Sequence, residues 1–484
     1  MKENRFKNFL TGLVCLCAVN FLRAQDANLP TAHTLEELRA QLAAHTEAPR
    51  FSGALWGVKI ESLDTGKVLF EVHTNRLMSP ASNSKMYPSA LALDRFGGDY
   101  RIVTPILATA KPDARGTVHG DLVISGRGDP SWNERHHGTN FWDAFTPFIT
   151  ALTNAGVKRV TGDLVGDTTF FRSPPQGGSW TVDDLESSEG GEISALTLND
   201  NFTTIRVTPG GKVGEPCGLK VMDPFTGLQL DNQTTTATNG AARRIEAHRF
   251  RGETVVHLFG SLPAGGAPET VEMPMLRPAE WFTASLKEAL KQHDIKVAGA
   301  ARVIAWPYAA PVAQEKIGEV TSPPLRELVR DYLKPSQNLE TDLVFEHTGE
   351  TTRTADTPAW MTSEQLALVA LDAFLKTNDL PAEDVHFDEG SGLSRNNLTT
   401  ANASVELLKF MYRHKESEDY LAALPIGGVD GTLRRRMKNT AAFQNVRAKT
   451  GTLRWVNSLS GFVTTAAGEK LVFSLMLNRY DGAP

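Results

Sequence analysis

The sequence predicts a mixed α/β protein, strictly α+β, in which both ends of the chain build one core and a long β-rich excursion separates them. Three observations predict it. Alternating residues from Trp56 to Asn75 read as a strand hairpin. From about residue 106 to about 311 the texture shifts to glycine, threonine and short alternating runs. After Pro323 helical spacing returns, and the chain closes on strands. The expected division is a discontinuous core of 25–105 and 312–484 around an inserted β-rich portion of 106–311.

The bulk composition fits that size. The chain has 484 residues, 41% apolar and 22% charged, enough for two or three domains and a full core. Its net charge is −6; beyond the first 24 residues, 46 basic residues face 55 acidic ones, a net −9. A mildly acidic chain with no basic cluster beyond the short run Arg434, Arg435, Arg436 is a poor partner for nucleic acid or an anionic membrane surface.

Lys2, Arg5 and Lys7 followed by the apolar run Phe9 to Leu22 read as an export signal ending at Ala24, so residues 1–24 are expected to be removed and the mature chain to be periplasmic or secreted. The run is short for a transmembrane helix, and no stable transmembrane anchor is expected. An uncleaved anchor and a lipid on Cys15 or Cys17 are the alternatives. After cleavage only Cys217 remains, which excludes an internal disulfide and a zinc-thiolate site.

Each element has a local reason. Asp64-Thr65-Gly66-Lys67 turns the first hairpin. A helix follows from Pro80, and Pro88 is expected to kink it. Within the excursion, "GDLVISGRGDP" at 120 and "GDLVGDTTFF" at 162 share a Gly-Asp-Leu-Val start and read as two similar strand entries. Pro278 to Asp294 is its one expected helix. Beyond Pro323, apolar spacing predicts a helix broken at Pro335, another capped by Thr362 or Ser363, and a third from Asn402 to His414. The terminal hairpin is expected to turn at Ala467-Gly468-Glu469-Lys470.

Three short stretches carry chemistry. Ser82 and Lys85 stand three apart at a helix start, where they share a face. Ser336-Gln337-Asn338 follows the helix break at Pro335, and Lys449-Thr450-Gly451 lies on a strand. S-x-x-K, S-x-N and K-T-G in that order form the set of penicillin-binding proteins and class A β-lactamases. Either of the first two turns up roughly once by chance in a chain this long, and K-T-G in only a few per cent of such chains. Order and context give the set its weight. No histidine sits in a nucleophile motif, and His136-His137 reads as a solvated loop.

Around these stretches the chain closely resembles the D-alanyl-D-alanine carboxypeptidase/endopeptidase family, the class C low-molecular-mass penicillin-binding proteins. "SPASNSK", "GRGDPSW", "ISALTLNDN", "PSQNLETDL", "DEGSGLSRNN", "LPIGGVDGTLRRRM" and "RAKTGTL" carry the resemblance from about residue 50 to about 480. It implies a transpeptidase/β-lactamase-like core, an antiparallel sheet flanked by helices, with a large insertion after the S-x-x-K helix. It implies peptidoglycan stem peptides as substrate, β-lactam antibiotics as covalent inhibitors, and no cofactor.

The roles that follow are Ser82 as nucleophile, Lys85 as a base kept neutral by burial and a nearby cation, and Lys449 as that cation. Ser336 would relay a proton, and Asn338 would hold Lys85 and the substrate amide. Thr450, Gly451 and Thr452 would take the substrate's terminal carboxylate, with the N–H groups of Ser82 and Thr452 as oxyanion hole. An ordinary strand threonine is the alternative for Thr452. Asp184 resembles the family acid that meets the free amine of the cross-linking diamino acid; a solvated loop acid is the alternative, and Asp183 is its rival.

Three departures from the family pattern stand out: Pro88, Glu389 inside "DEGSGLSR", and a chain that stops at Pro484, where the family usually continues into a helix. A serine β-lactamase on the same machinery lacks support, because no E-x-x-L-N loop follows Asn338. A non-catalytic wall-binding or sensor protein is the other alternative, and the intact Ser82, Lys85 and Lys449 argue against it.

Overall fold

The computed structural model describes residues 32–308 and 315–481. The export signal, its alternatives at Cys15 and Cys17, and the end at Pro484 lie outside the described residues. Cys217 is buried and free.

Both ends of the chain meet in one antiparallel five-stranded sheet. Its order is Arg447–Leu453, Val456–Thr464, Lys470–Asn478, Leu55–Ser62, Val68–Val72. The closing strand Lys470–Asn478 pairs along the whole opening strand, from Leu55 against Asn478 to Ser62 against Leu471. A helical layer covers this sheet. Met86–Phe96, Leu325–Leu333, Asn338–Glu350, Ser363–Thr377, Ala401–Arg413 and Ser417–Ala423 share one apolar core with Phe462 and Val472 of the sheet. Thr362 caps its helix through a capping box with Gln365.

Pro88 does not kink its helix. Residues Ala81–Lys85 form a 3-10 turn and the α-helix begins only at Met86. Pro88 therefore falls in the first helical turn, where no intrahelical N–H bond is required.

The excursion has a sheet of its own, in the order Ala301–Ile304, Leu164–Asp167, Leu122–Ser125, Val103–Ala108, Glu315–Thr321. Its first and last strands in chain order, Val103–Ala108 and Glu315–Thr321, pair antiparallel, so this sheet reaches slightly past 106 and 311. Texture marks composition, and pairing is decided by hydrogen-bonded partners. The two Gly-Asp-Leu-Val entries are parallel neighbours in register, Leu122 against Leu164 and Val123 against Val165. The helix Pro278–Gln292 packs on this sheet through Phe282 and Leu286. A second helix, Thr146–Asn154, adds Phe148 and Leu152 to the same core and was not foreseen from the sequence. Beyond lies a smaller β layer, two three-stranded sheets around Ile205, Val207, Val256 and Leu258.

His136 and His137 do not form a solvated loop. They end the short helix Glu134–His137, and the His136 ring stands 3.5 Å from Asp331 of the helical layer. Residue by residue, a histidine pair carries no sign of which surface it will be pressed against.

Candidate active site

The turn bearing Ser82 is stitched to the core sheet. Ser458 Oγ donates to the Pro80 carbonyl at 2.6 Å, and Asn83 Nδ2 donates to Ser460 Oγ at 2.7 Å. Ser79 exchanges two hydrogen bonds with the Asn478 side chain, at 2.9 and 3.1 Å. These polar strand residues, with no pattern to flag them, fix where the nucleophile turn sits.

Lys85 is wholly buried behind that turn. Its Nζ lies 3.0 Å from Ser82 Oγ, 2.5 Å from Asn338 Oδ1 and 2.6 Å from the Ser391 carbonyl. Asn338 Oδ1 and Ser391 O can only accept. A neutral amine has two N–H groups, one for each, and its lone pair is then left for the Ser82 hydroxyl. Burial pushes the Lys85 pKa down to about 8, against the pull of Asp342, Glu189 and Glu389.

Asn338 reaches this point because the chain breaks at Pro335. Ser336 takes a left-handed φ of 72°, and the next helix starts at Asn338. From the other side comes the edge strand. Lys449, also wholly buried, donates to Ser336 Oγ at 2.8 Å and to the Thr450 carbonyl at 2.7 Å. Burial, then Lys85, holds its pKa well below the usual lysine value, while Glu189 opposes the shift. Thr450 Oγ1 donates to Thr432 Oγ1 at 2.7 Å.

Gly451 is a glycine for contact reasons. A Cβ there would fall 2.3 Å from Ser458 Oγ, 2.4 Å from the Pro80 carbonyl and 2.9 Å from Ser82 N. Only a bare Cα lets the edge strand lie against the nucleophile turn. Ser82, Lys85, Ser336, Asn338, Lys449 and Gly451 thus converge from three segments. Such an arrangement can deprotonate a serine without histidine and present an edge strand beside it to an extended peptide.

A model of the D-Ala-D-Ala carboxypeptidase 3 (S13) family matches residues 38–483. The chain belongs to this family. It is accordingly a serine hydrolase of the penicillin-binding type. It is 32% identical to a D-alanyl-D-alanine carboxypeptidase of Actinomadura over 459 residues, covering 93% of this chain and 82% of that one. It is 24% identical to the D-alanyl-D-alanine carboxypeptidase DacB of Haemophilus influenzae over 437 residues, 89% and 86% of the two chains. The fold is that of penicillin binding protein 4 from Haemophilus influenzae, with a TM-score of 0.76 at 23% identity, covering 90% and 92%.

In this S13 chain two other foreseen residues bond, among the described residues, only to near neighbours in sequence. Thr452 is on the same edge strand, its Oγ1 3.5 Å from Asn457 Nδ2. Asp184 starts a 3-10 turn of the insertion, and its Oδ2 accepts from Thr181 N and Oγ1 at 2.8 and 2.7 Å.

Three residues were missed from the sequence. Ser391 contributes only a carbonyl, which no side-chain pattern reveals. Thr432 sits in "GGVDGTLRRR", read only as family likeness. Glu189 comes from the insertion. Asn338 Nδ2 donates to its carbonyl at 3.1 Å and to its Oε2 at 2.9 Å.

The unusual Glu389 also finds its reason. It is buried, and its carboxylate accepts from Ser391 N, Ser391 Oγ, Gly392 N and Asn397 Nδ2. That carboxylate closes the turn which aims the Ser391 carbonyl at Lys85.

Proposed function

We propose that this protein is a serine D,D-peptidase, a carboxypeptidase or endopeptidase that cuts the D-Ala-D-Ala-type bond of peptidoglycan stem peptides through a Ser82 acyl-enzyme. The observation that carries the reading is the Lys85 amine, with two obligate acceptors for its two N–H groups and its lone pair left for Ser82.

In the proposed sequence Ser82 Oγ attacks the carbonyl carbon and its proton passes to Lys85 Nζ. The oxyanion is held by the N–H groups of Ser82 and Thr452; one such donor is worth on the order of a hundredfold or more in rate. As the C–N bond breaks, the proton reaches the leaving amine through Ser336. Water then attacks the ester, and Ser82 recovers its proton. Lys449, Thr450 and Thr452 receive the terminal carboxylate, and Gly451 keeps that strand in contact with the nucleophile. Asp184 meets the free amine of the diamino acid. β-Lactams, whose strained amide mimics the scissile bond, acylate the same serine. The enzyme works outside the cytoplasm, where such peptides are found; among the described residues no helix is long and apolar enough to cross a membrane.

The test is intact mass after exposure to a fluorescent penicillin, followed by assay of D-alanine release and of cross-linked dimer cleavage. One adduct on the wild type and none on Ser82→Ala is the expected result. Equal labelling of both proteins excludes Ser82 as nucleophile, and an adduct without cleavage of any fragment favours a sensor.

A further inference from the structure

The insertion lends the centre a carboxylate that the reaction above does not use. Glu189 lies in the segment Ser188–Gly190, on the exposed side of the Asn338 amide. Its carbonyl and its Oε2 both accept from Asn338 Nδ2. Neither atom can donate, so the Asn338 amide has only one workable orientation, with Oδ1 towards Lys85. The chain of contacts runs from Ser82 Oγ through Lys85 Nζ and the Asn338 amide to Glu189.

The segment is held from several sides. Ser188 Oγ donates to Glu272 Oε2 at 2.7 Å, and Glu192 Oε2 accepts from Arg277 N at 2.7 Å. Asn201 Nδ2 donates to the Glu192 carbonyl at 2.7 Å, and His248 Nδ1 lies 3.0 Å from Glu186 Oε2.

The charges around it are few. Lys85 faces Asp342 of the Asn338 helix, Glu389 of the neighbouring turn, and Glu189. Lys449 faces Lys85 and Glu189. Glu189 in turn faces both lysines, Glu272 and Asp184. Asp342 is driven towards its neutral form by burial and by Glu389, and Glu389 is engaged by four donors. Among the described residues neither lysine has an ion pair within 4 Å, and Glu189 is the carboxylate that acts on both.

Resting on the reading of Lys85 as base, we propose that Glu189 is a positioning residue. Its carboxylate, with its own carbonyl, locks the Asn338 amide and supplies a negative charge shared by Lys85 and Lys449, so that the insertion sets the pH at which Ser82 becomes a nucleophile. The carboxylate stabilises the ammonium form of either lysine. Removing the charge makes the proton easier to lose and moves the acid limb of acylation to lower pH.

The experiment is the second-order rate of acylation by a fluorescent penicillin between pH 5 and 10, on the full chain, with wild type, Glu189→Gln and Glu189→Asp. Glutamine keeps an acceptor for Asn338 and loses the charge. Its acid limb is expected to move down by about one pH unit, the order expected of one charge near an ionisable group. Its plateau at high pH should stay within about threefold of wild type, a change of under 1 kcal/mol. Aspartate, which keeps the charge, should restore the wild-type midpoint.

An unmoved midpoint in Glu189→Gln overturns the inference. So does a uniform loss at every pH in both variants, which is the mark of a merely structural side chain. A fall in KM for a D-Ala-D-Ala peptide with an unmoved midpoint also overturns it, because Glu189 would then only repel the substrate carboxylate. A wild type that takes up no label at any pH overturns the proposed function itself, so the two failures are distinguishable.

Discussion

Gly451 lies so close to Ser82 that a Cβ on it would stand 2.9 Å from the Ser82 amide nitrogen. The same position collides with the Pro80 carbonyl at 2.4 Å, which is backbone and cannot swing aside. Gly451→Ala must therefore push the edge strand away from the nucleophile turn. We expect a stability loss of about 1–3 kcal/mol, typical of overpacking. Penicillin acylation should fall by more than about a hundredfold, because a displacement of about 1 Å at a reacting centre costs that much. Thermal melts and labelling rates measure the two effects separately.

The Lys85 amine sets the pH dependence. Its pKa is lowered from the ordinary 10.5 to about 8 by burial. The neutral form is the base, so acylation should be slow at pH 6, half-maximal near pH 8, and level above pH 9. Lys85→Arg cannot become neutral in this range and should leave no measurable acylation at any pH. A rate that falls on going from pH 6 to 8 contradicts the assignment.

Glu389 holds a turn by its charge and by its two oxygens together. In Glu389→Gln one of those oxygens becomes an NH2 that faces the donors Ser391 N and Oγ or Gly392 N and Asn397 Nδ2. Opposed donors in a buried site cost about 1–3 kcal/mol each. We expect a clear fall in melting temperature and slower acylation, because the Ser391 carbonyl would no longer be held on Lys85. A variant with wild-type stability and rate would show that the turn does not need the carboxylate.

Arg135 joins the insertion to the helix that begins with Asn338. Its guanidinium meets both oxygens of Asp200 at 2.7 Å and also bonds Glu340 Oε1. Both carboxylates are buried, and burial followed by Asp200 pushes the Glu340 pKa up to about 8. Arg135→Ala leaves two buried acids unpaired and is expected to cost about 3–5 kcal/mol. Adding Glu340→Gln should recover part of that loss. Denaturant titration of the single and double variants checks it, and strict additivity would show that the two residues do not interact.

Local signals made much of this legible. The hairpin turn Asp64 to Lys67, the capping box at Thr362, the break at Pro335 and the helix Pro278–Gln292 depend on neighbours within a few residues, and the structure has each of them. The same locality explains the misreading at Pro88. A proline kinks a helix only if the helix has already begun, and the start at Met86 is imposed by a turn pinned to strands about 380 residues away. The helix Thr146–Asn154 is a single short stretch in a β-textured region, and packing on Phe282 decides it.

The sequence alone determined which chemical groups this protein has and in which order it spends them: a hydroxyl and an amine one turn apart, an amide at a helix break, and a second amine on a strand. Tertiary structure alone decided what each is pressed against. It buried both amines, with no ion pair within 4 Å among the described residues, gave Lys85 two obligate acceptors, and brought Glu189 to Asn338 across 149 residues of chain. A side chain's identity is written at its own position, but its proton affinity depends on solvent removed and charges delivered by distant segments, and no local pattern records those.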